Sequence, residues 1–539
     1  MNVPPDIFGT RQFLLVEDFE TMRSVIRGLL RRCGAQRVDT AASGDEAAKL
    51  LSKNSYDVVL CDYNLGDGRN GQMLLEESRH RGWITPSSVW IMITAEKSSD
   101  MISVAAEQAP DDYLLKPITE GTLQTRLQRL LERKASLADI IAAVEAKDYA
   151  TALSLCTQRL AGGKNVAELL RLQAQACQQS GDLERARLVY EEVLGKADLA
   201  WAKLGLAKLR LQQGDVTAAR VQLEGIVAKH PQYLEAYDWL AKVHEQQGSS
   251  AMQLEVLLQA AKLSPNSSAR QTAMGGAAMK NGKTELASAA FQRSIKLSEH
   301  SALKSATPYL GLARVQVETG APADALQTLF GLSEKFDAVE TKLLGKSIEM
   351  RAHAKSGNTA AVAAVAREVQ ELSQHTAEPV TADTALEISE TLMQTGQREA
   401  AIEMLQFVIR NNHDDQSVAD RAQRVFDAGG MGDAGRELLT ASRKEASVAM
   451  NEGVQLISQG NLPAALESMR RARDLMPQNS RAQLNLAYVA ITVIDKLGAD
   501  PALAKEARQA IQTAQGLSPG NARAAELLAR LEKLKTAAA

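Results

Sequence analysis

Between residues 11 and 134, short apolar runs alternate with segments of helical periodicity. In one such segment Met22 and Ile26 share a face with Val25, Leu29 and Leu30, and a later segment places Leu123, Leu127, Leu130 and Leu131 together. Because buried strands alternate with helices, we predict a doubly wound α/β domain with a five-stranded parallel sheet covered on both faces. The predicted strands are QFLLVED (12–18), RVDTAA (37–42), YDVVLCD (56–62), SVWIMITA (88–95) and YLLKP (113–117).

Beyond residue 136 the strand pattern disappears and a helical repeat begins. Most copies have a glycine, an alanine five residues later, a large apolar residue four further on, and often a proline. The alanine position recurs in steps of 34, 33, 34 and 34 residues, at Ala152, Ala186, Ala219, Gln253 (in place of alanine) and Ala287. Glycine suits a turn between two helices, alanine suits a close helix crossing, and proline ends the second helix. The pattern therefore predicts stacked helical hairpins.

These positions resemble the tetratricopeptide repeat over residues 137–520, with a weaker match at 330–450. The resemblance implies an all-α superhelical solenoid whose first helices line a concave groove for a protein or peptide partner. We expect four regions along the chain: an N-terminal extension (1–10), the α/β domain (11–134), the repeat domain (137–520), and a C-terminal capping helix and tail (521–539).

Charge, cysteine spacing and the length of the apolar runs argue against several classes of protein. A net charge of −3 and the lack of a basic recognition helix argue against nucleic-acid binding. The four cysteines are scattered without CxxC spacing, which favours a reducing compartment. The first residues lack the pattern of a signal peptide, and no apolar run is long enough for a membrane span. We therefore expect a cytoplasmic protein without membrane insertion.

Reactive side chains stand where the predicted strands end. The first strand ends in Glu17 and Asp18, the third in Asp62, the fourth in Thr94 and Ala95, and the fifth in Lys116. The carboxyl ends of parallel strands meet at one edge of the sheet, so three carboxylates converge there. Such a cluster favours a cation, and Mg²⁺ with oxygen ligands suits it. Asp18, Asp62 and the backbone carbonyl of Asn64 are candidate ligands. A carboxylate nucleophile flanked by cations is suited to phosphoryl transfer.

In this arrangement residues 11–134 resemble a bacterial response-regulator receiver domain of the chemotaxis type, which has a flavodoxin-like fold. The resemblance implies that Asp62 accepts a phosphoryl group from a sensor histidine kinase or a histidine phosphotransfer protein. It also implies that Thr94 moves toward the phosphate while Tyr113 rotates inward, which reshapes the face formed with a helix at about 97–108. The matching residues are Glu17–Asp18, Asp62, Asn64, Thr94-Ala95 and Lys116-Pro117.

Three departures from the family pattern stand out. Glu17 occupies a position where the family more often has aspartate, but its longer side chain still reaches a bound ion, directly or through water. Leu65-Gly66 replaces the usual Met-Pro after the acceptor, and the loop to Gly71 is one residue longer. We expect the loop to affect phosphate lifetime or kinase choice without removing a catalytic group.

Our hypothesis is a response regulator in which phosphorylation of Asp62 controls protein–protein interactions of the repeats, with a receiver homodimer as one route. One alternative is a passive scaffold or phosphate sink whose partner binding does not depend on phosphorylation. A remote alternative is an enzyme within residues 330–450. We expect no enzymatic activity beyond the receiver's own phosphorylation and dephosphorylation.

Overall fold

The computed structural model describes residues 7–95, 110–375, 378, 380–498 and 500–538. The helix expected at about 97–108 lies outside the described residues. The chain divides into two compact units, residues 1–308 and residues 309–539. None of the helices in the described part of the chain is both long and apolar enough to span a membrane.

Five strands form one parallel sheet in the order β2-β1-β3-β4-β5. The order reverses between β1 and β3, so the carboxyl ends of these two neighbours flank the crevice where ligands bind in open α/β sheets. The predicted fold class is confirmed. The strands are β1 (Gln12–Val16), β2 (Arg37–Ala41), β3 (Val58–Asp62), β4 (Val89–Thr94) and β5 (Asp112–Leu115).

Alternate residues of the strands supply two separate apolar layers. Phe13 and Leu15 pack with the first and last helices of the domain, and Leu14 and Val16 pack with the two helices on the other face. Every residue of β3 and β4 is buried, as their continuous apolar runs predict. The described helices of this domain are α1 (Glu20–Arg32), α2 (Gly44–Leu51), α3 (Gly71–His80) and α4 (Glu120–Glu145).

Two details differ from the sequence interpretation. Val25, predicted on the buried face of α1, is 52% exposed because the buried stripe of this helix is centred on Ile26, Leu29 and Leu30. Phe8, within the stretch predicted as an extension, is buried in the same apolar layer as α1. Periodicity places Val25 at the margin of the stripe, where only the neighbouring elements decide its burial.

Helix α4 runs through the junction predicted between the two domains. Its first half carries Leu123 and Leu127 into the core of the sheet. Its second half carries Leu137 and Ile140 into the core of the first repeats. The charged segment LERKAS (131–136) therefore lies inside one continuous helix of 26 residues. One rigid element joins the two parts of the first unit.

Antiparallel helical hairpins make up the rest of both units. In the first unit the helices are α5 (Tyr149–Leu160), α6 (Val166–Gln179), α7 (Leu183–Lys196), α8 (Ala200–Gln212), α9 (Val216–Lys229), α10 (Leu234–Gln246), α11 (Ser250–Leu263), α12 (Ser268–Lys280) and α13 (Thr284–Leu297). Helix α14 (Thr307–Glu318) begins at the border between the units. The second unit continues with α15 (Pro322–Ser333), α16 (Val339–Lys355), α17 (Thr359–His375), α18 (Ala382–Gln394), α19 (Arg398–Asn411), α20 (Gln416–Ala428), α21 (Gly432–Ser458), α22 (Leu462–Leu475), α23 (Ser480–Leu497), α24 (Pro501–Leu517) and α25 (Ala522–Ala538).

The repeat signature has the physical basis that the sequence predicts. The alanines are fully buried where paired helices cross, for example Ala186 and Ala219, each at 0% exposure. The turn glycines have positive φ, for example 83° at Gly214, a conformation that L side chains rarely adopt. Helix α9 ends at Lys229, two residues before Pro231. Each signature residue therefore matches a specific backbone requirement of the hairpin.

The weakly matching stretch 330–450 also consists of helices, from the end of α15 to the long helix α21. Helices α16 and α17 have 17 residues each and α21 has 27, whereas α18 has 13. One continuous apolar cluster extends from Leu343 to Leu439. The longer helices shift the spacing of the signature positions, which explains the weak sequence match.

Gly435 of α21 marks a tight helix crossing in this stretch. A Cβ atom at this position would lie 2.4 Å from Cβ and Cγ of Phe426, which is fully buried. We expect Gly435→Ala to destabilise the α20–α21 hairpin by about 1–3 kcal/mol, because overpacking forces the backbone or the ring to move. Native-state hydrogen exchange of the α20 and α21 amides measures this change.

The matched control is Gly331→Ala in α15. A Cβ there would meet no atom within 4 Å among the residues described. We expect the stability of its helix to be unchanged or raised by less than about 1 kcal/mol, since alanine has the higher helix propensity. Equal effects in the two variants would show that Phe426 moves aside freely.

Candidate functional site

Three acidic residues meet at the carboxyl edge of the sheet. Glu17 and Asp18 follow β1, and Asp62 is the last residue of the adjacent strand β3. Each carboxylate offers an oxygen that lies within 4.8 Å of the others. Glu17 is 1% exposed and Asp62 is 6% exposed, whereas Asp18 faces solvent. The predicted convergence of these carboxylates is therefore present in the fold.

Lys116 brings an ammonium group to the two buried carboxylates. Its Nζ lies 2.6 Å from Asp62 Oδ2 and 2.9 Å from Glu17 Oε2. The residue follows β5 and precedes a cis peptide bond to Pro117. Its backbone N–H donates to the Thr94 carbonyl at 2.9 Å, which fixes the chain where β4 and β5 end. One ammonium thus faces two carboxylates in a largely buried site.

The surroundings raise the pKa of both Glu17 and Lys116. Burial raises the pKa of Glu17, and its hydrogen bond from Lys116 only partly opposes this, while Asp62 and Asp18 add repulsion. Burial alone would lower the pKa of Lys116, but its hydrogen bonds to Asp62 and Glu17 outweigh that effect and raise it. The protonated form of Lys116 is therefore favoured by its two carboxylate partners.

The donor set fits Mg²⁺. This ion prefers oxygen ligands, binds through a few carboxylates and keeps several waters. Glu17, Asp18 and Asp62 supply carboxylate oxygens at one point, and the solvent-facing Asp18 leaves room for water. The Asn64 N–H lies 3.3 Å from Asp62 Oδ1, which fixes the start of the loop whose carbonyl we predict as a ligand.

The other predicted residues occupy the rim of the same edge. Thr94 is buried at the end of β4, and the register of β4 and β5 pairs it with Leu115, next to Lys116. Ala95 follows it and is exposed. Tyr113 in β5 is half-buried, and burial raises the pKa of its hydroxyl to about 12, with a contribution from Tyr63. Their roles in switching remain predictions.

Two residues that the sequence interpretation did not select also support the site. Arg23 of α1 donates from Nη1 to the carbonyl oxygens of Glu17 at 2.7 Å and Asp18 at 3.2 Å. Gly71 opens α3, where a Cβ would lie 2.3 Å from the Asp62 carbonyl oxygen. An arginine five residues after an acidic pair is a weak sequence signal. Gly71 carries a stronger signal, because it directly follows Asn70, a residue type that commonly caps the start of a helix.

Comparison with known proteins identifies the first domain. Residues 13–128 match the family model described as response regulator receiver domain. A Vibrio cholerae chemotaxis protein, CheY-3, is 35% identical over 122 residues, which are 23% of this chain and 92% of that protein. The chain belongs to the response-regulator receiver family. Its receiver domain is also 33% identical over 122 residues to the Pseudomonas aeruginosa chemotaxis protein CheY, covering 23% of this chain and 97% of that protein.

The helices that follow the receiver domain are similar to tetratricopeptide repeats. Residues 204–268 match the family model of that description. A solved tetratricopeptide repeat protein from Parabacteroides merdae aligns with 14% identity and a TM-score of 0.38, covering 48% of this chain and 98% of that one. The two family matches place a receiver domain at residues 13–128 and tetratricopeptide repeats after it, at residues 204–268.

We expect Mg²⁺ to stabilise the receiver domain through its acidic cluster. An ion at about 100 times its dissociation constant adds about 2.7 kcal/mol to the free energy of unfolding. In Glu17→Gln the site loses one carboxylate, so the Mg²⁺-induced stabilisation falls. The same substitution raises stability without the ion by about 0.5–2 kcal/mol, because it relieves repulsion. Urea unfolding with and without Mg²⁺ measures both effects.

Glu20→Gln is the matched control, since Glu20 is exposed in the first turn of α1, three residues from Glu17. We expect its Mg²⁺-induced stabilisation to equal that of the wild-type protein. If Glu17→Gln retained the full effect of Mg²⁺, Glu17 would not contribute to the metal site.

Proposed function

We propose that the protein is a response regulator of a two-component phosphorelay, in which Asp62 accepts a phosphoryl group and the repeats deliver the output. The observation that carries the proposal is the contact of the Asp62 carboxylate with Lys116 Nζ at 2.6 Å, beside two further carboxylates. The donor is a sensor histidine kinase or a histidine phosphotransfer protein.

The chemistry requires a nucleophile held beside positive charge. An oxygen of the Asp62 carboxylate attacks the phosphorus of the donor's phosphohistidine. The new O–P bond forms as the P–N bond breaks, and the electron pair leaves with the imidazole nitrogen. Lys116 is placed to stabilise negative charge on the phosphoryl oxygens, and the Thr94 hydroxyl is our candidate for a further hydrogen bond. Mg²⁺ held by Glu17, Asp18, Asp62 and the Asn64 carbonyl would supply additional positive charge.

Asp62→Asn tests the acceptor. We expect a small-molecule acyl phosphate with Mg²⁺ to phosphorylate the wild-type protein, and labelling to fall at least about 100-fold in the variant, because an amide is not a nucleophile for this step. Asp67→Asn is the matched control, since Asp67 is exposed in the loop that follows. Phosphate-affinity electrophoresis quantifies the label. Undiminished labelling of Asp62→Asn would assign the acceptor elsewhere.

Coupling from the receiver to the repeats is supported by the contacts of α4 with β5. Arg126 of α4 donates to Asp112 Oδ1 at 2.7 Å and to the Tyr113 carbonyl at 3.0 Å. Arg129 reaches Asp112 Oδ2 at 3.2 Å, and Lys134 lies 2.9 Å from Asp111 Oδ1. Basic side chains along α4 thus hold the strand that carries Tyr113.

The same helix packs against α5 and α6 of the first repeats. A rearrangement of Tyr113 and β5 on phosphorylation would therefore act on α4, whose second half lies in the repeat core. We propose that this helix transmits the phosphorylation state to the partner-binding surface of the repeats. In a passive scaffold, phosphorylation of Asp62 would leave the structure of α4 unchanged.

Hydrogen exchange with and without beryllofluoride and Mg²⁺ tests the coupling, since beryllofluoride replaces the aspartyl phosphate. We expect exchange in residues 120–160 to change in the wild-type protein, and this change to fall at least about twofold in the double variant Arg126→Gln/Arg129→Gln. The matched control is Arg32→Gln, which removes an ion pair between α1 and Glu120 at the start of α4 but leaves β5 untouched. Unchanged exchange in the wild-type protein would favour the passive scaffold.

A further inference from the structure

The loop of residues 63–70, which joins Asp62 to α3, is anchored at both ends. The Tyr63 carbonyl accepts a hydrogen bond from the Gly71 N–H at 2.9 Å, and the Asn70 side chain caps α3 at the Met73 N–H, also at 2.9 Å. Leu65 is 3% exposed and packs in the apolar layer beneath. The segment between Leu65 and Asn70, where the chain departs from the family pattern, needs a separate anchor.

Arg69 supplies that anchor by bridging two helices. Its Nη1 lies 2.5 Å from Glu77 Oε2 on α3, and its Nη2 lies 3.3 Å from Asp45 Oδ1 on α2. The Arg69 and Glu77 side chains are largely buried, at 18% and 4% exposure. A guanidinium holds two carboxylates in a fixed geometry because its donors form a rigid planar fork. The loop is thereby tied to both helices on one face of the sheet.

The backbone of Arg69 also packs directly on the start of α2. A Cβ atom at Gly44 would lie 2.4 Å from the Arg69 carbonyl oxygen and 2.9 Å from its Cβ. Only a glycine at the first residue of α2 permits this approach. The main chain and the side chain of Arg69 therefore act together to hold the loop in one position.

The loop held in this way borders the carboxylates of the site. Gly66, at φ 71°, comes so near Asp18 that a Cβ would lie 3.4 Å from its Oδ2. At the other carboxylate the Asn64 N–H approaches Asp62 Oδ1 at 3.3 Å. Displacement of the loop would therefore change the surroundings of Asp18 and Asp62 together.

We infer that Arg69 is a positioning residue for the phosphoryl-transfer site, acting through the 63–70 loop on Mg²⁺ affinity and on the lifetime of phosphorylated Asp62. For the lifetime of phosphorylated Asp62, the inference rests on the proposed function. For the affinity for Mg²⁺, it rests on the acidic cluster alone. The guanidinium touches neither substrate nor ion. It holds the Asn64 and Gly66 backbone against the two carboxylates and limits the access of water to the acceptor.

The structure contains a control for a merely structural role. Arg81 pairs with the other oxygen of Glu77, with Nε 2.8 Å from Oε1, but it follows α3 and lies outside the loop. Arg69→Gln and Arg81→Gln each remove one ion pair from the same buried carboxylate. Only the first variant releases the loop.

The experiment uses the full chain and three measurements. Calorimetric titration with Mg²⁺ gives the affinity, decay of the phosphorylated protein after loading with an acyl phosphate gives the lifetime, and urea unfolding gives the stability. We expect Arg69→Gln to weaken Mg²⁺ binding about 10-fold and shorten the lifetime about 10-fold, as removal of an outer support of a metal site does. Arg81→Gln should stay within about twofold of the wild-type protein in both.

Arg69→Lys keeps a charge beside Glu77 but not the fork that bridges to Asp45, so it serves if Arg69→Gln fails to fold. We expect it to change affinity and lifetime in the same direction by at least about threefold. If the Arg69 variants match Arg81→Gln in affinity and lifetime, the inference is overturned. A different outcome is that the wild-type protein is not phosphorylated but Mg²⁺ binding is still weaker in the Arg69 variants. The proposed function would then fail, and the role of Arg69 in positioning the metal site would remain supported.

Discussion

Repulsion among three carboxylates at one edge of the sheet is the constraint on which the functional region depends. Both faces of the parallel sheet are covered by helices, so polar chemistry is confined to the strand ends. Asp62 and Glu17 are brought there by adjacent strands, and Lys116 is the ammonium that makes their burial tolerable. Three carboxylates beside one ammonium favour a bound cation, and that cation would offset the negative charge that a phosphoryl group brings.

Helix α4 connects the domain that holds this charged site to the rest of the first unit. Its leucines belong to the core of the sheet at one end and to the core of the repeats at the other. A helix of 26 residues extends about 39 Å. The receiver and the first repeats therefore share an element, in contrast to domains joined by a flexible linker.

Much of the fold was predictable because the relevant signals are local. Apolar runs ending in polar residues marked the strands, and glycine and alanine at fixed spacing marked the hairpins. The signal failed where packing partners decide the outcome. Val25 lies at the margin of the buried stripe of α1, the LERKAS segment continues as helix because two cores flank it, and the long helix α21 disturbs the repeat spacing.

By itself the sequence determined which reactive groups stand at the strand ends, because Glu17, Asp18, Asp62, Thr94 and Lys116 come where the apolar runs end. Only the tertiary structure decided what surrounds them. Arg23 and Arg69 gave no periodic signal, because a long side chain finds its partner across space. Arg69 meets Asp45 and Glu77 on two different helices. The positions of the strands are marked along the chain, whereas the reach of a guanidinium depends on how the helices pack.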